Sequence, residues 1–275
     1  MSPDATPAGR GHTRVMGVVN VTPDSFSDGG QWLQPQAAIR HGLDLLDQGA
    51  EVLDVGGEST RPGATRPVAE EELRRVMPVI TELAARGATL SIDTVRAGVA
   101  REAVSAGARI VNDVSGGLAD PRMLPTVADL GVDYLCQHWR GPSAVMNSLA
   151  TYTDVVAEVV AELRRRIDAC LAVGIAADHL IIDPGLGFAK RPEHDWALLA
   201  HVDALTGLGY RVVIGASRKR FLGALPQGRP VDQRDAATAA VSVICAQHGI
   251  WAVRTHEVPS QVDAIAVVER LAQEP

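Results

Sequence analysis

Residues 15–30 read V-M-G-V-V-N-V-T-P-D-S-F-S-D-G-G, and they decide the fold of the chain. The first five residues are apolar and partly β-branched, which is typical of a strand buried on both faces. From Asn20 onward the segment is polar and rich in hydroxyl groups, and Pro23 with the glycine pair at 29–30 indicates a loop. A buried strand that runs into such a loop is how α/β proteins build their sites, with a plain surface turn as the alternative.

The same succession of strand, polar loop and helix recurs along the chain. Apolar runs predict strands at 15–19, 51–55, 90–92, 109–111, 133–136, 180–182, 211–214 and 250–253. Helical periodicity, usually ended by a glycine, predicts helices at 36–48, 67–86, 95–106, 121–130, 154–173, 194–205, 234–247 and 260–273. Eight such units predict one α/β domain over residues 14–275, a parallel (β/α)8 TIM barrel, after a flexible tail of residues 1–13. A doubly wound sheet is the alternative.

The amino-acid composition limits the kinds of partner that the chain can bind. The formal net charge of −7 argues against a general nucleic-acid or anionic membrane surface, so an anionic ligand requires a local cluster of basic residues. The three cysteines are far apart in sequence and form no CxxC pair, which is typical of buried thiols in a reducing compartment. No apolar segment reaches membrane-spanning length. We therefore expect a soluble, cytoplasmic protein that acts on small molecules.

Polar residues stand at or just beyond the carboxyl end of every predicted strand. They are Asn20, Asp54, Asp93, Asn112, His138, Asp183, Ser217, Lys219, Arg254 and His256. In a closed barrel these strand ends meet at one face, where barrel enzymes carry their active sites. A single aspartate in such a place is often only a cap or turn residue, and this alternative stays open for Asp54 and Asp113.

The polar residues divide into two chemical sets. Asp93, Asn112 and Asp183 suit a heterocycle with paired N–H donors, because carboxylates accept and an amide both donates and accepts. The basic set comprises Arg61, Arg218, Lys219, Arg254 and His256. These side chains suit a ring oxygen or nitrogen, and also an oxyanion such as phosphate. Asn20 offers an amide oxygen, a hard ligand for Mg²⁺ shared with phosphates. Arg218 and Arg220 could equally be solvated surface residues.

Six ordered motifs carry a family resemblance. They are M-G-V-V-N-V-T-P-D-S-F-S-D-G-G, G-G-E-S-T-R-P-G-A, S-I-D-T, V-N-D-V-S-G-G, D-P-G-L-G-F-A-K and G-A-S-R-K-R-F-L-G. Over residues 15–258 the chain resembles the dihydropteroate synthase family of folate biosynthesis. The resemblance implies a transferase that joins 6-hydroxymethyl-7,8-dihydropterin diphosphate to p-aminobenzoate and releases pyrophosphate.

The resemblance also implies roles for particular residues. Asp93, Asn112, Asp183 and Lys219 correspond to pterin-ring residues, with Met146 and Phe188 nearby, and Asn20 corresponds to the Mg²⁺ ligand. Diphosphate contacts correspond to Arg61, Arg254 and His256, and the backbone of Thr255 lies between the last two. The p-aminobenzoate pocket corresponds to Thr60, Pro62, Ser217 and part of the first loop. The catalytic assignments are Asp93, Lys219, Arg254 and His256.

A homodimer through outer helices is expected, with residues 236–246 as the candidate surface. Burial of this helix against the barrel is the alternative.

The chain departs from the usual family motifs at two places, and three other functions are alternatives. The last motif reads R-T-H-E at 254–257 where R-V-H-D is usual, and strand 5 ends in Q-H-W-R at 137–140 where M-H-M is usual. A corrinoid-dependent methyltransferase barrel would share the acidic set but has no use for a diphosphate site. An aldolase using Lys219 would need that amine shielded from cations, whereas Arg218 and Arg220 flank it. A catalytically silent binding protein is the third alternative.

Overall fold

Eight parallel strands close into a barrel in this computed structural model, which describes residues 12–22, 34–58, 67–225 and 228–274. Within these residues the strands are β1 (Arg14–Asn20), β2 (Val52–Gly56), β3 (Leu90–Asp93), β4 (Ile110–Asp113), β5 (Asp133–Gln137), β6 (Leu180–Asp183), β7 (Arg211–Ile214) and β8 (Ala252–Thr255). Each strand pairs with the next in sequence, and β8 returns to β1 with Met16 opposite Arg254. The (β/α)8 barrel is confirmed, and the doubly wound sheet is wrong.

The helices surround the barrel and follow the predicted order. In the described part of the chain they are α1 (Gln34–Asp47), α2 (Ala69–Ala85), α3 (Ala97–Ser105), α4 (Met123–Leu130), α5 (Val155–Ala172), α6 (Pro192–Ala200), α7 (Val202–Thr206), α8 (Arg220–Gly223), α9 (Asp235–Gln247) and α10 (Pro259–Ala272). None of these helices has the length and apolar character needed to cross a membrane.

Two helical details differ from the sequence prediction. The helix predicted at 194–205 is two helices, because His201 has a non-helical backbone (φ −124°, ψ 39°) between α6 and α7. The Nδ1 atom of His201 lies 2.9 Å from the carbonyl oxygen of Ala197, so the side chain shares an acceptor with the helix backbone. The four-residue α8 was not predicted, because so short a helix has no measurable periodicity; it buries Phe221 and Leu222.

The two-residue period of the strands places an apolar layer inside the barrel. Its members are Met16, Val52, Ile110, Leu135, Ile181, Val213 and Ala252, one from each contributing strand. Because successive side chains alternate between faces, the residue two positions further along each strand points into the same interior. On five of these strands that residue is polar: Asp54, Asn112, Gln137, Asp183 and Arg254. The apolar layer therefore forms the floor on which a polar layer rests.

The opposite end of the barrel is closed by the start of the described chain. Residues 1–11 of the expected tail lie outside the described residues, but His12 and Thr13 belong to the barrel. Thr13 Oγ1 donates to the carbonyl oxygen of Ile250 at 2.7 Å. The ring nitrogens of His12 each lie 2.6 Å from a carboxylate, one of Glu51 and one of Glu269.

A tight turn after β4 supports the barrel mouth from outside. Asp113 Oδ1 accepts the backbone N–H of Ser115 at 2.8 Å, and its Oδ2 accepts the backbone N–H of Gly117 at 2.7 Å. Tyr134 also donates its hydroxyl to Asp113, at 2.9 Å. Asp113 is therefore a turn residue, as the capping alternative proposed. Gly116 has a φ of +57°, and a Cβ there would lie only 2.9 Å from the carbonyl oxygen of Gln137.

The Gly116→Ala substitution should lower the free energy of unfolding by roughly 2–4 kcal/mol, because the left-handed φ and the backbone clash both oppose a Cβ. The matched control is Gly131→Ala, where φ is +62° but no atom lies within 4 Å of the added Cβ. Only the conformational penalty of about 1–2 kcal/mol applies there. Urea unfolding of both variants measures the difference, and equal losses would show that the contact with Gln137 does not matter.

Candidate active site

A cavity of about 280 Å³ opens at the carboxyl ends of the strands. It contains the predicted residues Asn20, Asp93, Asn112, Asp183, Phe188, Ser217, Lys219, Arg254 and His256. It is also lined by Val18, Thr22, Glu58, Val114, Gln137, Gly215, Arg218 and Val231. The acidic set and the described members of the basic set, which follow five different strands, therefore face a single space.

Arg254 joins the two sets at the bottom of this cavity. Its Nε donates to Asp54 Oδ2 at 2.5 Å, and its Nη2 donates to Asp93 Oδ2 at 2.9 Å. Burial raises the pKa of Asp93, while the guanidinium of Arg254 opposes that rise. The two nearby carboxylates raise the pKa of Arg254 itself, so this side chain is a permanent cation. Asp54 does not line the cavity, but it accepts from the two lining residues Arg254 and Asn112 and is therefore more than a cap.

Asn112 and Asp183 present the polar atoms suited to a heterocycle. Asn112 Nδ2 donates to Asp54 Oδ2 at 2.9 Å, which leaves Asn112 Oδ1 buried without a partner among the described residues. Asp183 Oδ1 accepts the backbone N–H of Gly185 at 2.6 Å. Burial raises the pKa of Asp183, and the neighbouring Lys219 limits the rise. Acceptor oxygens held rigidly in this way suit a ligand that brings its own N–H donors.

Lys219 is fixed beside the loop that follows β6. Its Nζ donates to the carbonyl oxygen of Leu186 and lies 5.1 Å from the centroid of the Phe188 ring. Burial lowers the pKa of Lys219, which the charge of Asp183 partly offsets. A Cβ at Gly215 would lie 3.8 Å from Lys219 Nζ and 3.9 Å from Asp183 Oδ2, so glycine leaves the space beside these groups open.

Ser217 and His256 form the rim of the cavity near β8. The backbone N–H of His256 donates to Ser217 Oγ at 3.1 Å, and His256 Nδ1 lies 3.0 Å from the same oxygen. Burial and the cations nearby, Arg254 above all, lower the pKa of His256 to about 3. Thr255 does not line the cavity, because its Oγ1 is turned toward the carbonyl oxygen of Glu257 at 2.9 Å.

Met146 lies in an adjacent cavity of about 300 Å³ rather than in the main one. The two cavities share Phe188, Arg218, Lys219 and Val231. Arg218, for which the sequence left a surface role open, lines both cavities and donates from Nε to Asp235 Oδ1 at 3.0 Å.

Thr60, Arg61 and Pro62 lie outside the described residues, but the ends of their segment are anchored. Arg96 Nη1 donates to Glu58 Oε2 at 3.0 Å, and Arg96 Nη2 donates to the carbonyl oxygen of Pro67 at 2.6 Å. The same guanidinium also contacts the buried carboxylate of Glu72. One side chain therefore holds the residues on both sides of segment 59–66.

His138 is not part of the cavity, and its placement there is wrong. It directly follows the interior residue Gln137, so its side chain points outward, between the barrel and α5. There its Nε2 lies 2.8 Å from Glu162 Oε2, and its Nδ1 lies 2.9 Å from Nζ of the buried Lys190. Burial and the Lys190 charge lower the pKa of His138 to about 4, so it accepts from Lys190 as a neutral ring.

Lys190, which the sequence analysis did not single out, fastens the turn after β6. Its Nζ donates to the carbonyl oxygens of Gly185 and Phe188, both at 3.1 Å. Asp195 accepts the backbone N–H of Gly187 at 2.8 Å from the other side. The turn that supplies partners to Asp183 and Lys219 is therefore held by buried charges. A lysine at the end of D-P-G-L-G-F-A-K gives no such signal in sequence.

The described residues contain no group of three His, Cys, Asp or Glu side chains that could hold a metal ion. Asn20 ends β1 and faces the cavity that also contains Arg254 and His256. A single amide oxygen suits a Mg²⁺ ion that takes its other ligands from substrate oxygens and water. The site as a whole combines acceptors for a heterocycle with cations for an anionic group.

Comparison with known proteins agrees with this chemistry. Residues 16–256 match the family model of the pterin binding enzymes. The dihydropteroate synthase of Mycobacterium leprae is 54% identical, with 93% of this chain and 92% of that protein covered. Two solved structures of the Xanthomonas albilineans dihydropteroate synthase are also similar. The structure with 4-aminobenzoic acid has a TM-score of 0.91 and 46% identity over 100% of both chains. The structure with 7,8-dihydropteroate has a TM-score of 0.87 and 44% identity over 98% of both. The chain therefore belongs to the dihydropteroate synthase family of pterin binding enzymes.

Proposed function

We propose that this chain condenses 6-hydroxymethyl-7,8-dihydropterin diphosphate with p-aminobenzoate to give 7,8-dihydropteroate and pyrophosphate, in folate biosynthesis. The observation that carries the proposal is the presence, in one cavity, of rigid acceptors and of the cations Arg218, Lys219 and Arg254. Similar proteins with the same fold are named for this reaction, and their structures contain 4-aminobenzoic acid or 7,8-dihydropteroate.

The acidic side of the cavity holds the pterin in this proposal. Asp183 accepts paired N–H groups of the ring edge through the oxygen that faces away from Gly185. Asn112 accepts through its unpartnered Oδ1. Lys219 donates to a ring oxygen or nitrogen, and the Phe188 ring beside it contacts the flat face of the ligand. Because these side chains are fixed before the ligand arrives, little ordering free energy is spent on binding.

The basic side stabilises the leaving group. As the C–O bond to the diphosphate breaks, negative charge grows on the departing oxygen, and Arg254 and His256 are placed to stabilise it. Asp93 faces the positive charge that develops on the pterin methylene. The amine nitrogen of p-aminobenzoate then forms the new C–N bond and releases one proton. Ser217, which holds His256, and residues 60–62 are proposed to complete the second pocket.

Magnesium is proposed to bind at Asn20. When bound, Mg²⁺ neutralises phosphate charge and so lowers the free energy of the departing pyrophosphate. Asn20 supplies one oxygen in this proposal, and oxygens of the substrate and of water supply the others. The metal is thus expected to bind together with the diphosphate rather than to the empty protein.

Formation of dihydropteroate from the two substrates, followed chromatographically, tests the function and should depend on Mg²⁺. Asn20→Ala should raise the Mg²⁺ concentration needed for half-maximal rate severalfold and leave the affinity for the bare pterin unchanged. Asn20→Asp, which keeps an oxygen ligand, is the matched control and should retain Mg²⁺ dependence close to wild type. Pterin binding by the wild type without any turnover would favour the silent binding protein instead.

Asp183→Asn should weaken binding of 6-hydroxymethylpterin by roughly 1–3 kcal/mol, because an amide N–H then faces a ring N–H. The oxygen that accepts from Gly185 is preserved, so the melting temperature should change little. Asp133→Asn, at the opposite end of the barrel, makes the same chemical change outside the cavity and should not affect pterin affinity. Calorimetric titration of the wild type and the two variants with 6-hydroxymethylpterin measures these affinities. An unchanged affinity in Asp183→Asn would show that this residue does not contact the pterin.

A homodimer through α9 and α10 is the remaining proposal. Helix α9 buries Val241 and Cys245, so one face of this helix packs against the barrel, which was the alternative to a dimer surface. Its other face exposes Ala236, Ala240 and Ile244. The neighbouring α10 exposes Val267 and Leu271, which extends this apolar strip. Apolar surfaces shared by adjacent helices often mark contacts between subunits.

Light scattering at micromolar concentration should give twice the mass of one chain. Ile244→Lys should shift the protein toward the monomer, because it places a charge in the apolar strip, without changing the melting of the barrel. Leu225→Lys, at an exposed apolar residue elsewhere on the surface, is the control and should leave the dimer intact. A wild-type monomer would refute the proposal.

A further inference from the structure

Gln137 is a buried polar residue to which the mechanism above gives no task. It ends β5 on the interior face of the barrel, is 5% exposed, and lines the main cavity. Its Nε2 has no hydrogen-bond partner among the described residues. A buried N–H left without a partner costs folding free energy, so an acceptor atom of a ligand in the cavity is a favourable partner for it.

The position of Gln137 indicates which partner that is. In the register of the barrel Gln137 lies opposite Asp183, and on the other side of β5 runs β4, which carries Asn112. Gln137 therefore lies beside Asp183, on the strand that runs between those of Asp183 and Asn112. A Cβ at Gly185 would lie only 3.3 Å from Gln137 Cγ and 3.5 Å from its Nε2, so the side chain packs against the turn after β6.

The unpartnered atoms in this layer have complementary roles. Among the described residues, Asn112 Oδ1 is a buried acceptor without a donor and Gln137 Nε2 is a buried donor without an acceptor, and both residues line the cavity. A ligand that satisfies both must present an N–H group and an acceptor along one edge. A 2-amino-4-oxopyrimidine ring, the recognition edge of a pterin, has this arrangement. An apolar or purely anionic ligand would leave at least part of the set unsatisfied.

We propose that Gln137 is a specificity-determining residue of the pterin site, and that its amide N–H donates to an acceptor atom of the ring. The inference rests on the proposed function, because it assigns a further contact to the same substrate. It also gives a role to the departure Q-H-W-R, in which an amide stands where the related motif has the thioether of methionine. The amide N–H provides a directional contact that a thioether does not provide.

Gln137→Met tests the proposal with little change in side-chain length or volume. Calorimetry should show binding of 6-hydroxymethylpterin weakened about three- to tenfold, the range for loss of one neutral hydrogen bond. The KM for p-aminobenzoate should stay at the wild-type value. The melting temperature of the empty protein should be equal or higher, because an unpartnered buried N–H has been removed. A purely structural glutamine would instead lower the melting temperature and leave pterin affinity unchanged.

Ring analogues that each lack one acceptor, such as the 4-deoxo and 5-deaza pterins, identify the bonded atom. For one analogue, the wild type should bind the analogue more weakly than the parent pterin. Gln137→Met should bind that analogue and the parent pterin with equal affinity. Equal losses in both proteins for every analogue would overturn the proposal. The wild type separates this failure from failure of the proposed function: if it binds the parent pterin and turns over, only the assignment of Gln137 is wrong, whereas absence of both refutes the function itself.

Discussion

The buried contact of Arg254 with Asp54 and Asp93 is the interaction on which the rest of the mouth depends. Removing charges from water is costly, and the cost is offset only when each charge has close partners. Here one guanidinium donates to both carboxyl groups, and Asn112 supplies a further N–H to Asp54. The cluster therefore keeps both acids in place around a cation that an anionic group can also use.

This polar layer is possible because the barrel beneath it is closed by apolar side chains. Met16, Leu135 and Ile181 belong to the layer that separates the charges from the opposite end of the barrel. Water can then reach the polar groups only from the mouth, which strengthens their electrostatic interactions. Lys190 and His138 provide a second set of buried polar contacts outside the sheet, and these hold the turn from which Lys219 and Asp183 take their partners.

The sequence predicts the barrel and the strand ends because both follow from local patterns. Asp183 and Asn112 are found in the cavity because each stands two residues beyond an apolar interior position. The same spacing of two residues, counted from Leu135, selects Gln137 and excludes His138, because a shift of one residue moves a side chain to the other face of the sheet. Met146 could not be placed, because it lies in a long loop where no period relates sequence to direction. The break at His201 depends on a side-chain contact that periodicity does not contain.

The anchoring of segment 59–66 has an evolutionary consequence. Arg96 holds Glu58 on one side and the carbonyl oxygen of Pro67 on the other, so the two ends of the segment are joined independently of what lies between them. Changing the length of a closed loop costs little free energy once its ends are held together. Substitutions and insertions between these anchors can therefore accumulate with little loss of barrel stability. In the proposed function this segment contributes to the p-aminobenzoate pocket, so recognition of p-aminobenzoate can diverge while the pterin site stays the same.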